Sequence, residues 1–277
     1  MNVREVIASV PREPFIPSEI FVRDEAGWLV PLRRDDDPER WRELVAADGP
    51  VVTRVAPDPA LSGEMCDPET GKGMVSTSSS SAPFIMARLI EAMELEQGMR
   101  VLEIGTGTGY NAAVLARLTG AENVVSIEMD PVVAASAREA LETAGLAVTV
   151  VTGDGETGHP SRAPYDRVIA TASAHTVPYE WVRQVRTGGL IVVPLAATVH
   201  PDWPLAVLKV KDDGTADGRC AGPSPFMPLR AQGVSASSVQ DAERRWEAAG
   251  RPEATRVGVT VEPQGQRVWL DSPDIAW

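Results

Sequence analysis

Arg100-Val101-Leu102-Glu103-Ile104-Gly105-Thr106-Gly107-Thr108-Gly109-Tyr110-Asn111 is the stretch on which the fold turns. Its apolar run, Val101 to Ile104, predicts a buried parallel strand. Glycines at alternate positions, Gly105, Gly107 and Gly109, then lead the chain into a helix beginning near Tyr110. Glycine leaves main-chain atoms bare at the carboxyl end of a strand, where α/β sheets bind their ligands. A dinucleotide turn requires G-x-G-x-x-G with a pyrophosphate on the helix N-terminus. Here the third glycine is Gly109 and Tyr110 occupies the place that pattern needs, so a pyrophosphate cradle is disfavoured.

Two carboxylates downstream narrow the ligand. The strand Asn123 to Ile127 ends at Glu128, roughly twenty residues past the glycines, the offset at which an acid accepts from both ribose hydroxyls. The next strand, Ala147 to Val151, runs into Thr152-Gly153-Asp154-Gly155. Asp154 is placed to accept from an adenine amino group, and Gly155 to leave room for the ring. Either acid alone would be an ordinary polar strand end; their joint position after consecutive strands favours a nucleoside cofactor. The E-x-G-x-G-x-G form resembles motif I of the class I S-adenosylmethionine (SAM) methyltransferases, in which the acid, here Glu103, and the glycines face the amino-acid end of the cofactor.

Strands are predicted at 100–104, 123–128, 147–151, 166–170 and 189–194, with helices at 110–119, 131–144 and near 178–186. Such alternation implies an α/β fold with a doubly wound, mostly parallel sheet, the Rossmann-like class I methyltransferase architecture. Before it, residues 2–10 read as a short helix, and Phe21-Val22 with Trp28-Leu29-Val30 as a hairpin. Asp37-Pro38 starts a helix through Ala47. Residues 56–83, rich in proline, glycine and then serine, read as a long loop feeding an amphipathic helix from Phe84 to Met93. Beyond Pro194, short strands at Leu205 to Val210 and Phe226 to Leu229 precede a polar helix, Ser235 to Ala249. A hairpin, Val257 to Val261 with Arg267 to Leu270, follows. The expected division is an N-terminal segment and substrate-side insertion over 1–83, a SAM-binding domain over 84–230 and a C-terminal extension over 231–277.

A chain of 277 residues, 43% hydrophobic and 23% charged, has ordinary globular composition and enough apolar sequence for a real core. The net charge of −13 argues against a nucleic-acid partner, which needs clustered lysine and arginine. No segment approaches the roughly twenty apolar residues that would span a bilayer, and Met1 to Glu5 opens no signal peptide. A cytoplasmic monomer with no membrane partner is expected. Cys66 and Cys220 match no metal or redox spacing and the three histidines, His159, His175 and His200, form no ligand pair, so no metal is expected.

Val10-Pro11-Arg12-Glu13-Pro14-Phe15-Ile16-Pro17, Ser81-Ala82-Pro83, the glycine stretch, Gly153-Asp154-Gly155, Pro164-Tyr165-Asp166 and Gly188-Gly189 through Pro194 together resemble the protein-L-isoaspartate O-methyltransferases. The resemblance covers residues 1–20 and about 76–230. It implies SAM as cofactor, held by Glu103, Gly105, Thr106, Gly107, Gly109, Glu128, Met129, Asp154, Gly155 and Thr171. It also implies Ser81 as the serine beside the transferred methyl, with Ser79, Ser80, Ala82 and Pro83 binding substrate. The implied acceptor is a carboxylate, already ionised near neutral pH and so needing no general base. The ester would then be attacked by the following backbone nitrogen, closing a succinimide and releasing methanol.

Three departures bear on the substrate: the insertion at 21–75, Ser78-Ser79-Ser80 where the repair enzymes usually carry a Thr-Ile approach, and the extension from about 231. They resemble the actinobacterial branch associated with ribosomally made peptides, in which an aspartate of a precursor becomes aspartimide or isoaspartate. That branch is the expectation. General repair of isoaspartyl residues, a small-molecule O-methyltransferase and a non-catalytic SAM-binding module are the alternatives.

Overall fold

The computed structural model describes residues 2–277. Short side chains and prolines set the first elements. Asn2 caps α1 (Val3–Ser9) by accepting from Arg4 N at 3.1 Å, Pro11 follows its end, and Pro14 sits in a short 3-10 turn, Glu13–Phe15, where an extended path is expected from the prolines. β1 (Glu19–Arg23) and β2 (Leu29–Arg33) form the expected antiparallel hairpin. Asp37 caps α2 (Pro38–Ala46), accepting from Arg40 N at 3.0 Å, with Pro38 in the first turn where its missing N–H costs nothing. Trp41 and Val45, one turn apart, seat α2 on a small core with Ile16, Ile20 and Val51.

The serine-rich stretch departs from its reading as loop. β3 (Val51–Pro57) pairs antiparallel with β4 (Met74–Ser80), completing a four-stranded sheet in the order β2-β1-β3-β4. Only 58–73 lie between those strands. Serine has weak strand preference of its own, and the ladder to β3 supplies what local sequence lacks, including a Thr53–Ser78 hydroxyl contact of 3.3 Å.

α3 (Pro83–Ala92) leads into β5 (Val101–Ile104), α4 (Tyr110–Thr119), β6 (Val124–Glu128), α5 (Pro131–Thr143) and β7 (Thr149–Thr152). After these come β8 (Tyr165–Ala170), α6 (Tyr179–Gln184), β9 (Val185–Pro194), β10 (Pro204–Val210), β11 (Ala216–Pro223), α7 (Ala236–Ala248), β12 (Val257–Glu262) and β13 (Gly265–Leu270). They build one nine-stranded sheet, β13-β12-β11-β10-β9-β8-β5-β6-β7. The five strands from β9 to β7 run parallel and the other four extend the sheet antiparallel. This is the class I methyltransferase fold. The mixed half contains β11, which the sequence reading passed over because it carries Gly218, Gly222 and Pro223. At Gly218 a side chain would drive into the Val207 carbonyl of β10, 1.8 Å from a built Cβ, so glycine is what permits that pairing. Phe226 to Leu229 is not a strand; Pro228 only bridges Ser173 as the segment crosses the end of the sheet.

Alternation along the buried strands divides two cores. Leu102, Ile104, Val125, Ile127 and Val168 face α6 and Trp181; Val101, Val124, Ile169 and Val192 face α3, α4 and α1. No helix among the described residues is long and apolar enough to cross a membrane.

Trp41 is fully buried in the small core beneath the four-stranded sheet. Trp41→Ala is expected to destabilise the protein by about 3–5 kcal/mol. Urea unfolding measures this, and a loss near zero would mean that α2 is not anchored by that side chain.

Candidate functional site

The carboxyl ends of β5, β6, β7 and β8 open on a cavity of about 690 Å³, in the range of small-molecule sites. β5 turns at Gly105, whose positive φ of 93° suits glycine and whose built Cβ would lie 2.7 Å from the Thr171 hydroxyl. Gly105, Thr106 and Gly107 line the cavity. Gly109 does not; it sits at the N-cap of α4 with φ 85°, packed on Ala137 and Leu141. Gly155 lines the cavity, yet its want of a side chain serves Ile104, whose methyl would lie 2.5 Å from a Cβ. The room made there is for the protein's own core as well as for a ring.

Glu128, at the end of β6, lines the cavity and is held by two main-chain donors, Gly107 N and Asp130 N, each at 3.0 Å. Met129 beside it is 41% exposed at the mouth. Asp154 follows β7, lines the cavity and accepts from Glu156 N at 3.0 Å, which fixes its carboxylate. Thr171 follows β8 and donates into the turn, reaching Gly105 O at 2.5 Å. The acids and the glycine turn thus share one wall.

Glu103 lies behind that wall, fully buried, on the α4 side of β5. Asn111 Nδ2 donates to its Oε1 at 2.7 Å and Ser126 Oγ to its Oε2 at 2.5 Å. Thr106 joins the network through Ser126 at 2.6 Å. Burial pushes the Glu103 carboxyl up to about 7; the Ser126 and Asn111 hydrogen bonds pull against that, and Glu128 adds to it. Asn111 itself lines the cavity, and its Oδ1 is buried without a partner. Asn111 is a site residue that the sequence motifs do not single out; its only signal there is its place in the first turn of the helix that follows the acid's strand.

Another part of the lining is the end of β4 and the start of α3. Ser79, Ser80, Ser81 and Ala82 line the cavity; Pro83 is outside it, in the first turn of α3. Two groups from the N-terminal segment hold this turn. Asp48 accepts from Phe84 N at 2.8 Å, and the Arg12 guanidinium donates to the carbonyls of Ser80 and Ser81 at 3.0 Å each. The Ser81 hydroxyl pairs with none of the described residues. Across the mouth runs 223–231, tied down by Ser173, which donates from N to Met227 O at 2.8 Å and from Oγ to Phe226 O at 3.0 Å.

The residues fit SAM. An unpartnered acceptor, Asn111 Oδ1, is available to its ammonium group, and Glu128 and Asp154 offer carboxylates to ribose and adenine. Between the ordinary carboxylate value of 4.5 and about 7, folded Glu103 keeps a proton that the unfolded chain releases, so stability falls as pH rises through that window. Relative to Glu103→Gln, the wild type is expected to lose up to about 3 kcal/mol between pH 4.5 and 7.5. Parallel unfolding curves for the two proteins across that range would contradict a buried acid.

Residues 69–233 match the family model described as Protein-L-isoaspartate(D-aspartate) O-methyltransferase (PCMT). The protein-L-isoaspartate O-methyltransferase of Ignicoccus hospitalis is 49% identical over 196 residues, 70% of this chain and 73% of that protein. That of Hyperthermus butylicus is 40% identical over 159 residues, 54% of this chain and 65% of that protein. A solved protein-L-isoaspartate O-methyltransferase superposes with a TM-score of 0.66 over 98% of this chain and 95% of its own, at 22% identity. A putative one from Plasmodium falciparum, solved with S-adenosyl-L-homocysteine, gives 0.51 over 83% and 99% at 16% identity. At such identities the two superpositions speak to the fold, and the family match and the curated relatives carry the assignment. The chain belongs to the protein-L-isoaspartate O-methyltransferase family of SAM-dependent carboxyl methyltransferases.

Proposed function

We propose that this chain methylates the free carboxylate of an isoaspartyl residue in a peptide or protein, with Ser81 beside the reacting oxygen. The observation that carries the reading is the Ser81 hydroxyl, unpaired and lining the same cavity as Gly105, Glu128 and Asp154. Bound there, SAM supplies a methyl group on a positively charged sulfur. The chain's task is positional: Gly105 and Gly107 shape the floor, and Glu128, Asp154 and Asn111 orient the cofactor. A carboxylate entering the cavity loses water, which is costly unless donors replace it. The Ser81 hydroxyl supplies one donor, and the 223–231 segment screens the opposite side.

The mouth is bordered by exposed Phe84, Met129 and Arg230, which suits an extended chain better than a closed small-molecule pocket. An aspartate side chain in a ribosomally made precursor is the second acceptor to consider. Its support is that part of the acceptor wall, Ser79 and Ser80, belongs to β4 of the four-stranded sheet. The additions at 21–75 and 231–277 do not by themselves mark out that substrate, because a solved isoaspartyl methyltransferase superposes on 98% of this chain.

One assay separates these readings. Labelled SAM with an isoaspartyl peptide is expected to give a base-labile ester and methanol, and a cyclised aspartyl precursor is offered in parallel. Label that resists mild alkali would overturn carboxyl transfer, and bound SAM with no turnover on either peptide would favour a binding module. Ser81→Ala is expected to cut kcat on the order of a hundredfold with cofactor affinity nearly unchanged. Equal losses in both would reduce Ser81 to a cofactor support.

A further inference from the structure

Arg12 is 7% exposed, and its guanidinium is spent on neutral acceptors. Nη1 donates to Gly49 O at 2.9 Å and Ala47 O at 3.2 Å, beside the C-terminal end of α2. Nη2 donates to the Ser80 and Ser81 carbonyls, and Nε to the Ser80 hydroxyl at 3.1 Å. Among the described residues no carboxylate forms an ion pair with it. Asp48, whose field reaches it, is exposed and engaged by Phe84 N. The carbonyls and the helix end satisfy its donors and temper its charge, but they leave a full positive charge inside the acceptor wall.

Ser80 touches that charge and is also among the residues lining the cavity. Its hydroxyl takes a hydrogen bond from Arg12 Nε, which leaves its own proton to donate, and no described residue accepts that proton. Ser80 lines the cavity next to Ser81 while remaining only 2% exposed. A hydroxyl polarised by a cation from behind is a stronger donor in front, and the gain is largest toward an anion in a water-poor site.

We propose that Arg12, acting through the Ser80 hydroxyl, is a positioning and specificity-determining residue that makes the acceptor wall select an ionised carboxylate over an uncharged group of the same shape. The incoming carboxylate is the counter-ion that the buried guanidinium lacks. Ser81 and Ser80 then offer two donors, only one of them backed by charge. The inference rests on the carboxyl acceptor of the proposed function.

The test compares an isoaspartyl peptide with the same peptide carrying a carboxamide in place of the acceptor carboxylate. Each is titrated calorimetrically into the full chain saturated with S-adenosylhomocysteine. The wild type is expected to favour the carboxylate by roughly ten- to a hundredfold, the range of a charge-assisted hydrogen bond. Arg12→Met and Ser80→Ala should each collapse that ratio while S-adenosylhomocysteine still binds as in the wild type. The double variant should fall no further, as expected of two residues acting in one relay. Arg12→Lys, which keeps the charge, should recover part of the preference. In turnover, Ser80→Ala should raise KM for the peptide more than it lowers kcat.

A wild-type ratio that persists in Ser80→Ala overturns the inference, and that variant decides the matter even if Arg12→Met does not fold. Equal wild-type affinity for the two peptides also overturns it, while leaving methylation intact. If the wild type neither binds nor methylates the isoaspartyl peptide, the proposed function fails first and the inference with it.

Discussion

Parallel hydrogen bonding of β5 to β6 on one side and β8 on the other is the constraint on which the molecule depends. It puts the carboxyl ends of these strands in register, so residues distant in sequence leave the sheet on one edge: Gly105, Glu128 and Thr171, with Asp154 after β7. The pairing survives because both faces are covered. Every position of β5 is buried, and its side chains divide between two cores. Glu103 is the one polar member of that strand, tolerated because Asn111 and Ser126 satisfy both of its oxygens. The same network ties the start of α4 to the sheet, so burial of the acid and placement of the glycine turn are one arrangement.

The second half of the site comes from a separate layer. The four-stranded sheet has its own small core around Trp41 and would be free to sit elsewhere without specific ties. Arg12 braces the layer itself by joining the end of α2 to the end of β4, while Arg54 ties it to the central sheet, reaching Asp130 beside Glu128 at 2.9 Å. Asp48, accepting from Phe84 N of α3, is a second such tie. These contacts set how far the serine turn stands from the glycine turn, and hence the width of the cavity between them.

The C-terminal part closes the remaining side. β12 and β13 continue the central sheet, and Trp246 and Trp277 pack on buried His200 with ring centroids 6.1 Å away in each case. Gln232 accepts from His175 N at 2.7 Å and Thr176 N at 3.0 Å, anchoring the end of the 223–231 segment. Gln266 of β13 accepts from Val177 N at 2.8 Å and donates to His175 O at 3.1 Å. The extension therefore supports the same loop after β8 that holds the strap over the cavity.

The amino-acid sequence by itself determined the α/β core, because its signals there are local and periodic. Glycines at alternate positions after an apolar run, Asp130-Pro131 and Asp37-Pro38 as helix starts, and strand-ending acids each encode their structure within a few residues. The residues that line the cavity at the ends of β5, β6, β7 and β8 were legible for that reason, whereas Gly109 and Glu103 are buried away from the cavity, which depends on how α4 packs. Tertiary structure alone decided the rest. Ser76 to Ser80 carry no strand signal and become one through pairing with β3; Phe226 to Leu229 look like a strand and become a strap because Ser173 captures their carbonyls. Arg12 lies sixty-eight residues from Ser80 in the chain, and no periodicity links them. Only tertiary packing makes that arginine a buried charge behind the serine turn with no carboxylate paired to it among the described residues, since burial and counter-ions are properties of neighbours and not of a residue's own surroundings in sequence.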